Sequence, residues 1–132
     1  MSITLVAPNQ TTQKAINSSV SVADGGTTAI LTIQIQPRQK IKLRDFGNYI
    51  DNVAAWGSVS WVFVWNGVPL SIDGQNIATL DQIGYAAQRQ PISQDIVLGP
   101  GTFIIYGVNA IGTGAAVAMG VSLGYDLISS IN

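Results

Sequence analysis

The sequence predicts an all-β domain, an antiparallel β-sandwich of about eight strands, with a jelly roll preferred over an immunoglobulin-like Greek key. Three observations predict it. Apolar residues recur at every second position through most of the chain, turn signals built on Gly, Asn and Asp separate the runs, and no stretch carries a helical period. At 132 residues there is room for a single domain, 1–132, with a substantial core. Residues 1–13, ahead of the first clear alternation, are a candidate extended arm.

The elements follow in order. Lys14 to Val22 places Ile16, Val20 and Val22 on one side, and Asp24-Gly25-Gly26 marks a turn. In Ala29 to Gln36, Leu31, Ile33 and Ile35 face one way and Thr32, Gln34 and Gln36 the other. Pro37 interrupts the ladder before a basic strand, Arg38 to Phe46. Ser58 to Trp65 is dense in aromatic and β-branched residues, and Asn66-Gly67 after it is a strong hairpin signal, because a type I′ turn needs positive φ at both central positions. The return strand is Val68 to Ile72. A loop follows over 73–82, then an extended piece from Ile83 to Ala86 and a strand from Ile92 to Leu98. The last pair, Thr102 to Ala110 and Ala115 to Asp126, flanks Gly112-Thr113-Gly114.

Charged residues make up only 10% of the chain, against about 25% in ordinary soluble domains, while 47% are hydrophobic. Other copies of the chain, or a larger assembly, are the expected cover for so uncharged a surface, since the centres of protein interfaces are depleted in charge. The net charge of −1 makes nucleic acid an unlikely partner for the molecule as a whole.

There is no Cys, no His and no Glu. The commonest bases, nucleophiles and metal ligands are therefore missing, so no catalytic residue, metal or cofactor is expected and the chain does not read as an enzyme. The seven carboxylates are Asp24, Asp45, Asp51, Asp73, Asp81, Asp95 and Asp126. Their spacing selects no pair for glycoside chemistry, and Asp favours turns. The start Met1-Ser-Ile-Thr-Leu-Val-Ala-Pro8 lacks the basic and long apolar regions of a secretory signal. The uncharged run from Ile96 to Tyr125 is cut by Gly99-Pro100-Gly101 and Gly112-Thr113-Gly114, which argues against a membrane span.

Three surfaces are candidates for interaction. Arg38, Lys40, Lys42 and Arg44 fall at every second position, with Ile41 and Leu43 among the residues between, so a strand puts all four charges on one face, either as a solvated edge strand or as a docking strip for an acidic partner. Ala118, Gly120, Ser122 and Gly124 form a face of small residues. Such a face serves either as an oligomer contact or as an inner surface matched to bulky residues such as Trp61. Trp56, beside Gly57, is a candidate contact for a glycan or a protein, and the glycan reading would also use the 73–82 loop.

The stretches Trp61-Val-Phe-Val-Trp-Asn-Gly-Val-Pro-Leu70, Leu98-Gly-Pro-Gly-Thr-Phe-Ile-Ile-Tyr106 and Ala115-Ala-Val-Ala-Met-Gly-Val-Ser-Leu-Gly-Tyr125 resemble the strand and turn grammar of small β-sandwich structural proteins of tailed-phage virions, the decoration or cement proteins of the head above all. The resemblance implies a non-enzymatic homo-oligomer, often a trimer, that sits on the major capsid protein or another virion protein and belongs to the virion assembled in the host cytoplasm. The alternative expectation is a glycan- or receptor-binding sandwich.

Overall fold

The computed structural model describes residues 9–52, 55, 58–72, 75–76, 89–92 and 95–129. Period-two alternation becomes eleven strands there: β1 (Asn9–Val22), β2 (Thr27–Ile35), β3 (Gln39–Ile50), β4 (Val59–Trp65), β5 (Val68–Pro69), β6 (Ser71–Ile72), β7 (Gln75–Asn76), β8 (Arg89–Pro91), β9 (Val97–Leu98), β10 (Gly101–Asn109) and β11 (Val117–Ser129). Residues 9–13 of the candidate arm are thus the start of β1, laddered to β11 from Asn9↔Ser129 to Gln13↔Tyr125.

Two antiparallel sheets share these strands. The first runs β1-β11-β3-β8, with β9 also pairing β3, and the second runs β2-β10-β4-β5. Consecutive long strands switch sheets, and the closing strands β10 and β11 enter between strands laid down at the start. With β8 and β9 sharing one position beside β3, the strand order is that of an eight-position jelly roll. A small ribbon, β6-β7, stands apart. The expected return strand over 68–72 is therefore split between β5 and this ribbon, at Leu70, whose N–H is donated to the Phe63 carbonyl. Of the expected strand Ile92 to Leu98, Val97 and Leu98 are laddered to β3, and residues 93–94 lie outside the described residues. The expected extended piece over 83–86 lies outside the described residues.

The inner faces meet in one core. Met119, Val121 and Leu123 of β11 and Ile41, Leu43, Phe46 and Ile50 of β3 face Trp61 and Phe63 of β4 and Phe103 and Ile105 of β10. Phe46 spans the two layers, with edge-to-face contacts to Trp61 at 6.4 Å and Phe63 at 5.1 Å between ring centroids. Phe63 repeats the geometry with Phe103 at 5.6 Å. Edge-to-face pairs of this kind add to the stabilisation from area alone, because each positive ring edge meets a negative ring face.

Two bulges correct the expected facing. In β1 an extra residue lies between Asn17↔Val121 and Val20↔Met119, so Val20 and Val22 turn inward while Ile16 is reversed to the outer face, 60% exposed. In β3, Leu43 opposes Tyr125 and Asp45 opposes Gly124, which leaves Arg44 as the extra residue. The apolar set accordingly steps from Ile41 and Leu43 to Phe46 and Ile50 without leaving the core.

The turns follow their residues. Asn66 and Gly67 take φ of 50° and 81°, as the type I′ hairpin requires. The Asn66 side chain then braces the loop before β10, its Oδ1 accepting the Thr102 N–H at 2.9 Å and its Nδ2 donating to the Pro100 carbonyl at 3.3 Å. Gly101, at φ 140°, leaves the space into which that amide fits.

Candidate interaction surfaces

The basic segment is not one strip on an edge strand. Arg38 stands in the turn before β3 with φ 68°, following Pro37, and the Gln39 N–H closes that turn on the Gln36 carbonyl at 3.0 Å. Pro at the second position and positive φ at the third is a type II turn, which breaks the alternation at Arg38. β3 itself is an interior strand, laddered to β11 on one side and to β8 and β9 on the other. The expectation of a solvated edge is thereby corrected: the long pairing with β11 covers one side of the backbone from Gln39 to Ile50.

Lys42 and Arg44 are engaged within the chain. The Lys42 ammonium lies 2.9 Å from Asp95 Oδ1, and the Arg44 guanidinium lies 3.1 Å from Asp126 Oδ2. Asp126 opposes Thr12 on one side and Lys42 on the other, and its Oδ1 accepts the Thr12 hydroxyl at 3.1 Å. The bulge makes the arrangement possible, because it swings Arg44 toward Asp126 and leaves the Asp45 carboxylate over Gly124. Lys40 remains exposed at the start of β3, and among the described residues no ion pair engages it. The positive surface is therefore Arg38 and Lys40 at one end, followed by charges that Asp95 and Asp126 offset.

The small-residue set also has a definite place. Ala118, Gly120, Ser122 and Gly124 lie on the outer face of β11, since Val117, Met119, Val121 and Leu123 hold the core side. An inner face matched to Trp61 is thereby ruled out. Register sets Ser122 between Ile16 of β1 and Gly47 of β3, and Gly120 beside Tyr49. Backbone thus forms a low floor with Ile16 on one bank and Tyr49, 36% exposed, on the other. Asp51 closes its far end, its Oδ1 accepting the Ala118 N–H at 3.1 Å.

The outer face of the other sheet holds Val62 and Val64, opposite Trp61 and Phe63 on the core side. β2, β4, β5 and β10 contain no Asp, Glu, Lys or Arg at all. Their outward residues form rows across the ladder: Thr32, Ile104 and Val64; Ala29, Tyr106 and Val62; Thr27, Val108 and Ser60. The signal was present in the alternation of β4 and β10, where each strand is apolar at both parities over Val62 to Val64 and Phe103 to Tyr106. Such runs mark strands whose two faces are both suited to burial.

Asp24 organises the end of the sandwich. Its Oδ1 accepts the Gly112 N–H at 2.9 Å and its Oδ2 the Gly114 N–H at 2.7 Å, across the loop between β10 and β11. These two backbone donors, Gly112 first, hold its pKa below the ordinary carboxylate value. The role is structural: it pins a loop whose two glycines take φ of 76° and 84°.

Trp56 and the 73–82 loop lie outside the described residues, apart from the backbone of β7. Among the described residues there is no group of three or more His, Cys, Asp or Glu side chains able to hold a metal ion. Among the described residues no helix is long and apolar enough to cross a membrane.

No protein-family model matches the chain, and no curated protein does. Among solved structures, dimeric latent PorU from Porphyromonas gingivalis aligns over 92% of this chain and 13% of its own, with 10% identity and a TM-score of 0.41. That score carries no argument about this chain, whose fold rests on its own strand order.

Proposed function

We propose that this chain is a non-enzymatic structural protein of a virus particle, of the head-decoration or cement type, which associates with itself and docks on a capsid surface. One observation carries the reading: charge is segregated, with every charged residue of the two principal sheets lying on the β1-β11-β3-β8 sheet and none on its partner. A protein that works alone in water gains nothing from a bare, uncharged sheet face, whereas a building block uses it. The capsid-facing side in this reading is the outer face of the charged sheet. There Arg38 and Lys40 supply local positive charge, and the floor at Gly120 and Ser122, banked by Ile16 and Tyr49, carries no large side chain of its own. Fold alone does not carry the reading, because jelly rolls serve many unrelated functions.

The test is mass spectrometry of purified particles from the source virus or prophage, combined with re-addition of the purified chain to particles stripped of it. Stoichiometric recovery with particles supports the reading. Absence from particles, with no binding on re-addition, removes it.

A further inference from the structure

We infer that the outer face of the β2-β10-β4-β5 sheet is the surface by which two copies of this chain pair, packed face to face about a twofold axis. The inference deepens the assembly reading by naming the self-contact.

The face suits that occupant in three respects. Its centre is apolar: Val62 and Val64 of β4 stand directly beside Tyr106 and Ile104 of β10, and Val108 extends the patch by one row. All five side chains are half-buried by their neighbours alone, so much of their ordering cost is already met before a partner arrives. The rim is polar and neutral, with Thr32, Gln34 and Thr102 along the β2 side, where the Thr102 hydroxyl and Gln34 Oε1 lie 3.0 Å apart.

Charge selects a second copy over an arbitrary partner. A twofold contact brings each residue near its own equivalent region, so any charge near the axis meets a like charge. The four strands of this sheet carry none. The outer face of the other sheet, with Lys14, Lys40, Lys42, Arg44 and several carboxylates, presents no such freedom.

Three strands and the stub of a fourth, about 4.8 Å apart and about 3.4 Å per residue, present roughly 500 Å² in projection. That is the size of a small interface, below the ~800 Å² per side of a standard one. Two sheets packed this way repeat the geometry of the protein's own interior, aligned within about 30°. A twofold pair also differs from the threefold order that the phage resemblance implies.

The experiment is sedimentation equilibrium on the full chain, with Ile104→Lys and the gentler Val62→Thr, each checked by circular dichroism for retained β structure. The chain has no cysteine, so Val62→Cys can also be oxidised and read on a non-reducing gel, with Lys40→Cys on the opposite sheet as control. A wild-type mass of two protomers, a dissociation constant raised at least ~100-fold by Ile104→Lys through a desolvated unpaired charge, and a dimeric band from Val62→Cys alone support the pairing. A monomer at tens of micromolar, or an oligomer unmoved by Ile104→Lys and Val62→Thr in folded protein, overturns it. A monomer that still binds particles would remove the pair and leave the assembly reading standing.

Discussion

The Arg44 guanidinium lies 3.1 Å from Asp126, a carboxylate only 1% exposed on the outer side of the charged sheet. Asp126 holds that position because the β3 bulge supplies Arg44 and because the Thr12 hydroxyl satisfies its other oxygen. Burying a carboxylate is costly, so the pair stabilises relative to a broken pair far more than relative to an apolar replacement.

Arg44→Ala should therefore destabilise the fold by about 2–3 kcal/mol, below the full cost of an orphaned buried charge because Arg44 is itself half exposed. Arg44→Met combined with Asp126→Leu should recover most of that loss. Denaturant midpoints for the single and double variants check this; equal losses for both would show that packing, and not the carboxylate, sets the effect.

Asp24 gives a pH dependence with a definite sign. Its folded pKa lies below the ordinary value of 3.8, so its contribution is complete above that value and is lost as pH falls through the lower, folded one. Asp24→Asn should lower the melting temperature at pH 7, and the gap to wild type should narrow as pH drops below about 4. Thermal melts at pH 7 and pH 2.5 measure it, and a gap that widens in acid would contradict the assignment.

Much of this architecture was legible before any coordinates. Alternation located the long strands, Asn66-Gly67 announced its hairpin, and Gly112-Thr113-Gly114 announced the loop that Asp24 secures. The facing of Ile16 and the fate of Arg38 were not legible, because a bulge or a type II turn shifts parity by one residue while leaving the composition of the segment unchanged. The neutralisation of the basic segment was hidden for a different reason. Asp95 and Asp126 are more than fifty residues beyond Lys42 in sequence, and only the β3 pairings bring them near. The side chains at Trp56 and along the 73–82 loop fall outside the described residues.

Gly101 is a site where a single methyl group should matter. A Cβ there would occupy the position of the Asn66 side-chain amide, and its φ of 140° is one that other residues rarely adopt. Gly101→Ala should cost about 2–3 kcal/mol, whereas Gly99→Ala, two residues away with open space around it, should cost under ~1 kcal/mol. Chemical denaturation of the two variants makes the comparison, and similar losses would argue against the close approach.

Phe46 joins the two layers through apolar contact. It is 1% exposed and meets both Trp61 and Phe63 from the opposite sheet. Truncation leaves a cavity between layers that rigid strands cannot close, so Phe46→Ala should cost about 3–5 kcal/mol, and Phe46→Leu about half as much. Urea unfolding of both variants tests the ranking; a loss under ~1 kcal/mol for Phe46→Ala would mean that the layers do not depend on this contact.

Lys40 and Lys42 differ in a way that separates docking from stability. Lys42 holds Asp95 at 2.9 Å, while Lys40 is exposed with no ion pair among the described residues. Lys40→Glu should leave the melting temperature almost unchanged, within about 0.5 kcal/mol of wild type, yet weaken attachment to an acidic capsid surface and flatten its dependence on salt. Lys42→Glu sets two carboxylates side by side and should lower stability as well, though modestly, because Asp95 is exposed. Binding to stripped particles at 50 and 300 mM salt, alongside thermal melts, reads both effects. Attachment that survives Lys40→Glu and the double change with Arg38→Glu would remove this end of the sheet from the capsid-facing side.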